Sequence, residues 1–551
     1  MAKLRLGRAL PLLSPSPHLC LPRSLHSMPQ QVADEAALKR LFPIPAQAPS
    51  FQAPARFPGS SPEAVVALQR TLKDNHVKWH IFFNTQRFHN HASHQLLAIY
   101  QLGANGSLIE AAYKEHTKYQ RKQFDSPGPI TTENFHEHLG KEEYYRAYLQ
   151  FFTKVLSEKG AAATLEEYIF SPKANIDPPK SGQSPMEMTN RLFSGLLHPL
   201  IHTGYGAEFG LPGMFAEGLA ETAVHRTTAA TLTPRTLWKY AEAVGSDVGN
   251  ATVSRITSLL PSLVLDQFRS AVLPTQTRRT SSVHALSLVS RILKDDYYSY
   301  KTIALPPPKN SEEDTSLERV LHLRGEALAE LMKDWTVDGT NAQDVANKIE
   351  ELFWTNATIF GVGGFWGRKK TKNGKFNGDF FLMHLVTSVL FLPSLAAYLS
   401  PTSINILLRT YLLNTLALYV ARGRPPLPIA EFYDTVTPTP APPADTMTEP
   451  ADGTLDPENT TPNAWLAIVQ STLMHPDDHL CKLQRSLAHF AALYGTTPAG
   501  RLKELGVELE GAERLDGSLF VRTAGLALER VGWMREGEER KEWDFDAFYH
   551  D

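Results

Sequence analysis

The chain has 551 residues, enough for a large core and for one or several domains. Its 55 Lys and Arg residues nearly balance its 58 Asp and Glu residues, and a net charge of −3 argues against nucleic acid or an acidic membrane surface as a partner. The two cysteines, Cys20 and Cys481, exclude a disulfide framework and a CxxC-type metal or cluster site. A reducing compartment is therefore expected.

The N-terminal residues are basic and rich in proline. Residues 1–30 contain four Lys and Arg residues, and the first acidic residue is Asp34. This pattern is typical of a mitochondrial-type presequence or of a disordered extension, so we expect an intracellular protein, cytoplasmic or mitochondrial. Residues 31–60 form a Pro-rich lead-in.

Helical spacing dominates from residue 61 onward and predicts a helical core over residues 61–434. Ser61 and Pro62 are in N-cap and first-turn positions of the first helix. Apolar residues recur at three- and four-residue steps in residues 141–160, where Gly160 is expected to end the helix, and again in 317–335 and 480–495. Convincing strand patterns are scarce. We therefore predict a mainly α fold, a single integrated multi-helix domain with few or no strands.

Two apolar segments have nearly the length of a membrane span. Residues 380–399 lack charge, and residues 403–421 contain Arg409 near the middle, where lipid exposure would be costly. We interpret both as buried helices and expect no integral membrane span.

A Pro/Thr-rich linker is predicted at residues 435–463. The remaining residues, 464–551, are too few to form a stable core alone, so they are expected to be helices that pack back on the main body.

No nucleotide-binding or flavin (FAD) motif is recognisable. The nearest match to G-x-G-x-x-G is "GVGGFWG" at residues 361–367, in which Trp366 replaces the third glycine. This segment is interpreted as a glycine-rich turn. A P-loop, a nucleophile elbow and H-E-x-x-H are also missing from the sequence.

Histidines recur in segments that should be buried. A single one would usually be a hydrogen-bonded core residue, but several together favour a shared divalent metal. They are His89, His91, His94, His198, His202, His384, His475, His479 and His489.

Prolines interrupt two of these segments. Pro199 and Pro476 each favour a helix start, which places His198 and His475 at a helix edge. Asp477 and Asp478 would then cap the first turn of the second helix.

Six segments in order resemble the questin oxidase-like family of fungal proteins. They are "FHNHASHQLLAIYQLGA", "LHPLIHTGYGAEF", "GDFFLMHLVTSVLFLPS", "YVARGRPPL", "HPDDHLCKLQRSLAHFAALYG" and "GAERLDGSLFVRTAGLALERVGW". The resemblance covers residues 62–549. It implies an O2-dependent oxidoreductase of fungal secondary metabolism that inserts oxygen into an anthraquinone-type polyketide and opens its ring in a Baeyer–Villiger-like manner, with NADPH as reductant.

Some relatives are similar to non-haem iron enzymes with four histidine ligands and a carboxylated lysine. Carried onto this chain, the resemblance implies iron ligands His91, His198, His384 and His479. The lysine is missing from its expected place, where Tyr411 stands, and no lysine occurs between Lys375 and Lys482.

A mechanistic hypothesis built on this ligand set gives roles to residues around the metal. His202 or His94 would donate or accept protons. The aromatic side chains expected to form a slot for a planar substrate are Phe88, Tyr100, Tyr205, Phe380 and Tyr411. Two alternatives remain open: an oxygenase that needs no metal, and a helical scaffold or partner-binding protein whose histidines are structural.

Overall fold

The computed structural model describes residues 35–245, 282–308, 315–371, 374–443, 446 and 450–550. From Pro62 onward these residues form twenty-one α-helices, and the β-type pairing among them is limited to isolated bridges. The mainly α prediction is confirmed. The described residues from Leu41 onward form one compact unit. The predicted extension at residues 1–30 lies outside the described residues.

The helices are numbered here in chain order. The first eleven are α1 (Pro62–Lys78), α2 (Ala92–Gln101), α3 (Gly106–His116), α4 (Tyr145–Leu165), α5 (Pro172–Asn175), α6 (Met188–Phe193), α7 (His198–Phe209), α8 (Pro212–Val224), α9 (Thr236–Gly245), α10 (Ala285–Lys294) and α11 (Tyr300–Ile303). The others are α12 (Ser316–Leu331), α13 (Ala342–Gly367), α14 (Phe380–Val389), α15 (Leu392–Ala396), α16 (Pro401–Ala421), α17 (Ile429–Thr435), α18 (Ala464–Met474), α19 (Leu480–Tyr494), α20 (Arg501–Glu504) and α21 (Ser518–Val531).

Local signals fix several of the helix ends. The Ser61 side chain accepts a hydrogen bond from the Ala64 backbone N–H, and Pro62 occupies the first turn of α1, as predicted. Gly160 ends the first helical segment of α4, as expected, because it adopts the non-helical angles φ 77° and ψ 169°. A second helical segment follows this kink and continues to Leu165.

The prediction of a turn at "GVGGFWG" is wrong, because these residues form the last turns of α13. The glycines allow close approach of neighbouring chain segments. A Cβ atom at Gly361 would lie 2.3 Å from Thr523 Oγ1, and one at Gly364 would lie 2.4 Å from the Asn377 carbonyl oxygen. Packing space therefore explains the glycines, with no need for a phosphate-binding loop.

The apolar segments are core helices. Residues 380–399 form two helices rather than one, because Pro393 starts α15 after α14 has ended at Val389. Among the described residues one helix, α16, is long and apolar enough to cross a bilayer, and its most apolar stretch is entirely buried within the protein. Arg409 donates to the Trp335 carbonyl oxygen at 2.6 Å, which satisfies a charge in this helix.

Helices from distant parts of the compact unit meet around one point. One hydrophobic core includes side chains from Phe42 to Phe548. Within it, α19 packs against α2 and α14, and α7 packs against α2 and α14 as well. Four segments separated by up to several hundred residues are thereby brought together.

Candidate metal centre

Four histidines, one from each of these segments, form a ring that we call the four-histidine cluster. His91 precedes α2, His198 opens α7, His384 lies within α14 and His479 precedes α19. Neighbouring ring centroids are 4.9 Å apart for His91 and His198, 5.0 Å for His198 and His384, 5.1 Å for His384 and His479, and 4.7 Å for His479 and His91. All four side chains are buried. They are the four residues that the resemblance implies as iron ligands.

The outer nitrogen of each ring faces an oxygen atom. His198 Nδ1 lies 2.6 Å from the Gly195 carbonyl oxygen, and His384 Nδ1 lies 2.7 Å from that of Phe380. Carbonyl oxygens only accept hydrogen bonds, so both rings carry their proton on Nδ1. Their Nε2 lone pairs are therefore free.

Asp478 fixes the other two rings with a single carboxylate. Its Oδ1 lies 2.6 Å from His479 Nδ1, and its Oδ2 lies 3.1 Å from His91 Nδ1. Burial raises the pKa of Asp478, but its contacts with His479 and His91 outweigh that effect and hold the pKa well below its usual range. The ionised carboxylate thus accepts a hydrogen bond from each Nδ1–H group and leaves both Nε2 atoms unprotonated.

Within the part of the chain that the structure describes, the four Nε2 atoms have no ordinary hydrogen-bond partners. His91 Nε2 and His198 Nε2 are 2.8 Å apart, so two lone pairs face each other. The Nε2 atoms of His384 and His479 are buried without a partner from these residues. Each arrangement is costly unless a cation binds between the rings. The donor set and its outer hydrogen bonds fit a divalent transition metal.

Burial keeps these rings in the neutral form that binds metals. Burial, reinforced by the nearby Lys482 ammonium, lowers the pKa of His91 to about 3. Burial also lowers the pKa values of His198 and His384 well below their usual range.

Lys482 and Asp478 were not singled out as site residues from the sequence. The Lys482 side chain is buried, and no described residue forms a hydrogen bond with its Nζ. The expectation that Pro476 starts a helix is wrong, because α18 ends at Met474 and α19 begins at Leu480. Asp477 does cap α19 by accepting from the His479 and Leu480 backbone N–H groups, whereas Asp478 binds the two rings instead. The sequence signal that could have identified Asp478 is the pair of adjacent acidic residues, Asp477 and Asp478, directly before the buried His479.

His94 and His202 are linked to each other beside the cluster. The His94 ring centroid is 5.7 Å from that of His91, and its Nε2 lies 3.0 Å from His202 Nδ1. His202 Nε2 contacts Glu217 Oε2 at 2.7 Å, and Glu217 Oε1 contacts His76 Nδ1 at 2.6 Å. Burial opposes ionisation of Glu217, but hydrogen bonds from His202 and His76 lower its pKa to about 2. An ionised carboxylate therefore joins two histidines.

Of the aromatic residues predicted to form a slot, only some lie against the histidines. Phe380 lies against the cluster, with its centroid 4.8 Å from His384 and 4.7 Å from His479, and Tyr205 stacks on His94 at 5.2 Å. Phe88 is 58% exposed. The Tyr411 hydroxyl is bound within the core by Ser388.

Tyr100 lies away from the cluster. It packs on Phe209, which lines a cleft of about 450 Å³ together with Arg56 and Glu208. None of the four histidines lines this cleft.

Comparison with known proteins agrees with the resemblance seen in the sequence. Questin oxidase of Aspergillus fumigatus is 34% identical over 178 residues, which is 31% of this chain and 38% of that protein. Baeyer-Villiger monooxygenase AacuH of Aspergillus aculeatus is 32% identical over 176 residues, 30% of this chain and 34% of the relative. Baeyer-Villiger monooxygenase dmxR6 of Cryptosporiopsis sp. is 26% identical over 339 residues, 60% of this chain and 63% of the relative. The chain thus spans less than two thirds of the length of each of these relatives. A family model described as questin oxidase-like matches residues 88–487, and the chain therefore belongs to the questin oxidase-like family.

Proposed function

We propose that the protein is an O2-dependent oxidoreductase that opens a ring of an anthraquinone-type polyketide, with iron held by His91, His198, His384 and His479. The observation that carries the proposal is that four buried imidazole rings turn their Nε2 atoms toward one another. The Nδ1 atom of each ring faces an oxygen acceptor. Iron held by these residues would supply a redox centre for chemistry with O2. Imidazole is a suitable ligand for iron.

The names of the relatives support this type of reaction. They include questin oxidase and several Baeyer-Villiger oxidases. In a Baeyer–Villiger oxidation one oxygen atom enters between a carbonyl carbon and its neighbour, and the other leaves as water. The two electrons and two protons that this requires come from NADPH and the medium.

The linked residues behind the cluster provide a route for those protons. We assign His94 to the inner end, because its Nδ1 is buried near the cluster and has no hydrogen-bond partner among the described residues. From His94 the hydrogen bonds run through His202 and Glu217 to His76, whose side chain is 11% exposed. Each step lies within hydrogen-bonding distance, so a proton can pass between solvent and the site without a large motion of the chain.

Lys482 is the lysine that this site offers as a further ligand. Its amine is buried and has no hydrogen-bond partner among the described residues. In the carboxylated form it would present an oxygen donor, although the resemblance places its carboxylated lysine elsewhere, where this chain has Tyr411. Lys482→Met removes the amine but keeps the stem, so we expect lower metal affinity with an unchanged fold.

Phe380 and Phe545 form an aromatic surface between solvent and the cluster. Their ring centroids are 4.8 Å apart, and Phe545 is 55% exposed. A planar aromatic substrate that approaches from this side would meet Phe545 first and then Phe380, which touches His384 and His479.

The decisive experiment compares the wild type with His384→Ala and His489→Ala. His489 is a matched control, because it is also buried but donates to the Gln52 carbonyl oxygen instead of facing the cluster. We expect near-stoichiometric iron and turnover of a hydroxylated anthraquinone in the wild type and in His489→Ala, and loss of both in His384→Ala with an unchanged helical circular dichroism spectrum.

Other results would select an alternative. Turnover without bound metal would favour an oxygenase that needs none. If a coloured anthraquinone neither shifts its spectrum nor reacts, a helical scaffold would be favoured.

A further inference from the structure

A second group of potential ligands lies beside the four-histidine cluster. We call His89, Glu221 and His225 the second cluster. One nitrogen of each histidine and one carboxylate oxygen lie within 4.8 Å of one another. His89 Nε2 and His225 Nε2 are 2.8 Å apart, and Glu221 Oε1 is 3.4 Å from the first and 4.0 Å from the second. Ligand atoms around a tetrahedral zinc ion are about 3.3–3.5 Å apart, so only small adjustments would be needed.

The chain holds these three residues firmly. Glu221 and His225 are four residues apart at the end of α8, where the His225 backbone N–H donates to the Glu221 carbonyl oxygen at 3.0 Å. Phe82 packs edge-on against both imidazole rings, with centroids 5.4 Å away in each case. The His225 ring also rests on Gly195, where a Cβ atom would lie 2.4 Å from it. The rings therefore have little freedom to turn away from Glu221.

Glu221 is buried, with a side chain that is 1% exposed, and among the described residues neither carboxylate oxygen makes a hydrogen bond. Imidazole nitrogens lie near both oxygens but beyond ordinary hydrogen-bond length, His89 Nε2 at 3.4 Å from Oε1 and His202 Nδ1 at 3.6 Å from Oε2. Glu217, one helical turn earlier, is equally buried, but each of its oxygens is bound by a histidine. An unsatisfied carboxyl group is costly in either protonation state, because the ion lacks a counter-charge and the acid lacks an acceptor.

We propose that His89, Glu221 and His225 bind a second divalent first-row transition metal ion, such as Zn²⁺, distinct from the ion of the four-histidine cluster. Two imidazoles and one carboxylate are a donor set that binds zinc and iron. The His89 ring stacks on His198 with centroids 3.9 Å apart and planes 5° apart, so the two metal sites would share a wall. The ion would tie the end of α8 to the segment that carries His91. The proposal does not depend on the oxidation reaction.

The test counts metal ions in the full-length protein. The chain is saturated with Zn²⁺, desalted and measured by inductively coupled plasma mass spectrometry. We expect two ions per chain for the wild type, one for Glu221→Gln and one for His384→Ala. Glu217→Gln is the matched control and should keep both, because Glu217 already has two hydrogen-bond partners within the protein.

The outcomes separate this inference from the proposed function. One ion that persists in Glu221→Gln but is lost in His384→Ala overturns the second site and leaves the first. One ion that is lost only in Glu221→Gln supports the second site and overturns the first, and no bound ion overturns both. If circular dichroism shows that Glu221→Gln does not fold, anomalous diffraction at the zinc edge from wild-type crystals decides, since a peak must lie between His89, Glu221 and His225.

Discussion

The Asp478 carboxylate offers the sharpest test of how the four-histidine cluster is organised. It accepts from two rings at once, at 2.6 Å from His479 Nδ1 and 3.1 Å from His91 Nδ1. Each carboxylate oxygen serves one ring, and in Asp478→Asn one of the two oxygens becomes an NH2 group, so only one ring keeps its acceptor. The oxygen should keep the shorter contact, to His479, and the NH2 group would then face His91. His91 would have to place its proton on Nε2, where it blocks metal binding.

The size of the effect follows from the loss of one charge-assisted hydrogen bond. Such a bond contributes about 1.5–3 kcal/mol, which corresponds to roughly a 10- to 100-fold decrease in metal affinity. The same range is typical of changes to residues that orient metal-bound histidines. Asp478→Ala removes the acceptor for both rings and should weaken metal binding further.

Competition with a chelator of known affinity measures this loss. Asp477→Asn is the matched control, because Asp477 caps the backbone of α19 and accepts from Trp543 Nε1 but does not contact the ring nitrogens. We expect the control to lower the melting temperature while leaving metal affinity within about twofold. Equal metal affinities for Asp478→Asn and the wild type would refute the assignment of Asp478 as the residue that orients both histidines.

Three other features lead to independent predictions. Burial raises the pKa of Glu350 to about 7, so the contribution of this group to folding stability is present below its unfolded pKa and is lost as the pH rises through 7. Glu350→Gln, which stays neutral, should therefore stabilise the protein at pH 8.5 by about 3 kcal/mol. If the melting temperatures of the two proteins changed in parallel with pH, this prediction would be contradicted. Gly361→Ala should destabilise the protein by about 1–3 kcal/mol, although alanine favours helix more than glycine, since the new Cβ would lie 2.3 Å from Thr523 Oγ1. In urea unfolding, adding Thr523→Ala should restore most of the lost stability, whereas a single variant as stable as the wild type would show that α13 is not closely packed at Gly361. Phe545→Ala removes the ring that packs on Phe380 and should raise KM for an aromatic substrate about three- to tenfold with little change in kcat. Phe124→Ala, which removes a ring that packs on His80, is the control and should leave KM unchanged. Equal KM values for the wild type and both variants would show that the substrate binds elsewhere.

Elements with strong periodicity and a local start signal could be predicted from the sequence. Helix α1 is an example, because Ser61 and Pro62 mark its beginning independently of any tertiary contact. The end of α13 could not be predicted, since glycines normally disfavour helix. There they are tolerated because Thr523 and Asn377 approach too closely for a side chain. That information belongs to the packing partner and is not present in the local segment.

For the four-histidine cluster, too, one part could be predicted from the sequence and another part could not. Buried histidines in apolar segments could be recognised individually, and the resemblance selected His91, His198, His384 and His479 from a longer set. The groups that orient them could not be found in this way. The Gly195 and Phe380 partners are backbone carbonyl oxygens, which any residue supplies, and so they leave no trace in the sequence.

The arrangement of the cluster also explains why the chain can carry so many buried imidazoles. His91 and His479 are N-caps and His198 opens its helix, so that three of the four rings project from helix starts and do not interrupt apolar helical faces. The free-energy cost of burying these rings is confined to their inner nitrogens, the Nε2 atoms, because every outer Nδ1 atom has a hydrogen-bond acceptor. In the metal-free protein these inner nitrogens remain unsatisfied, whereas a bound ion would satisfy them together. Metal binding should therefore stabilise the fold as well as prepare the site, since the same atoms that are unfavourable without an ion become ligands with one.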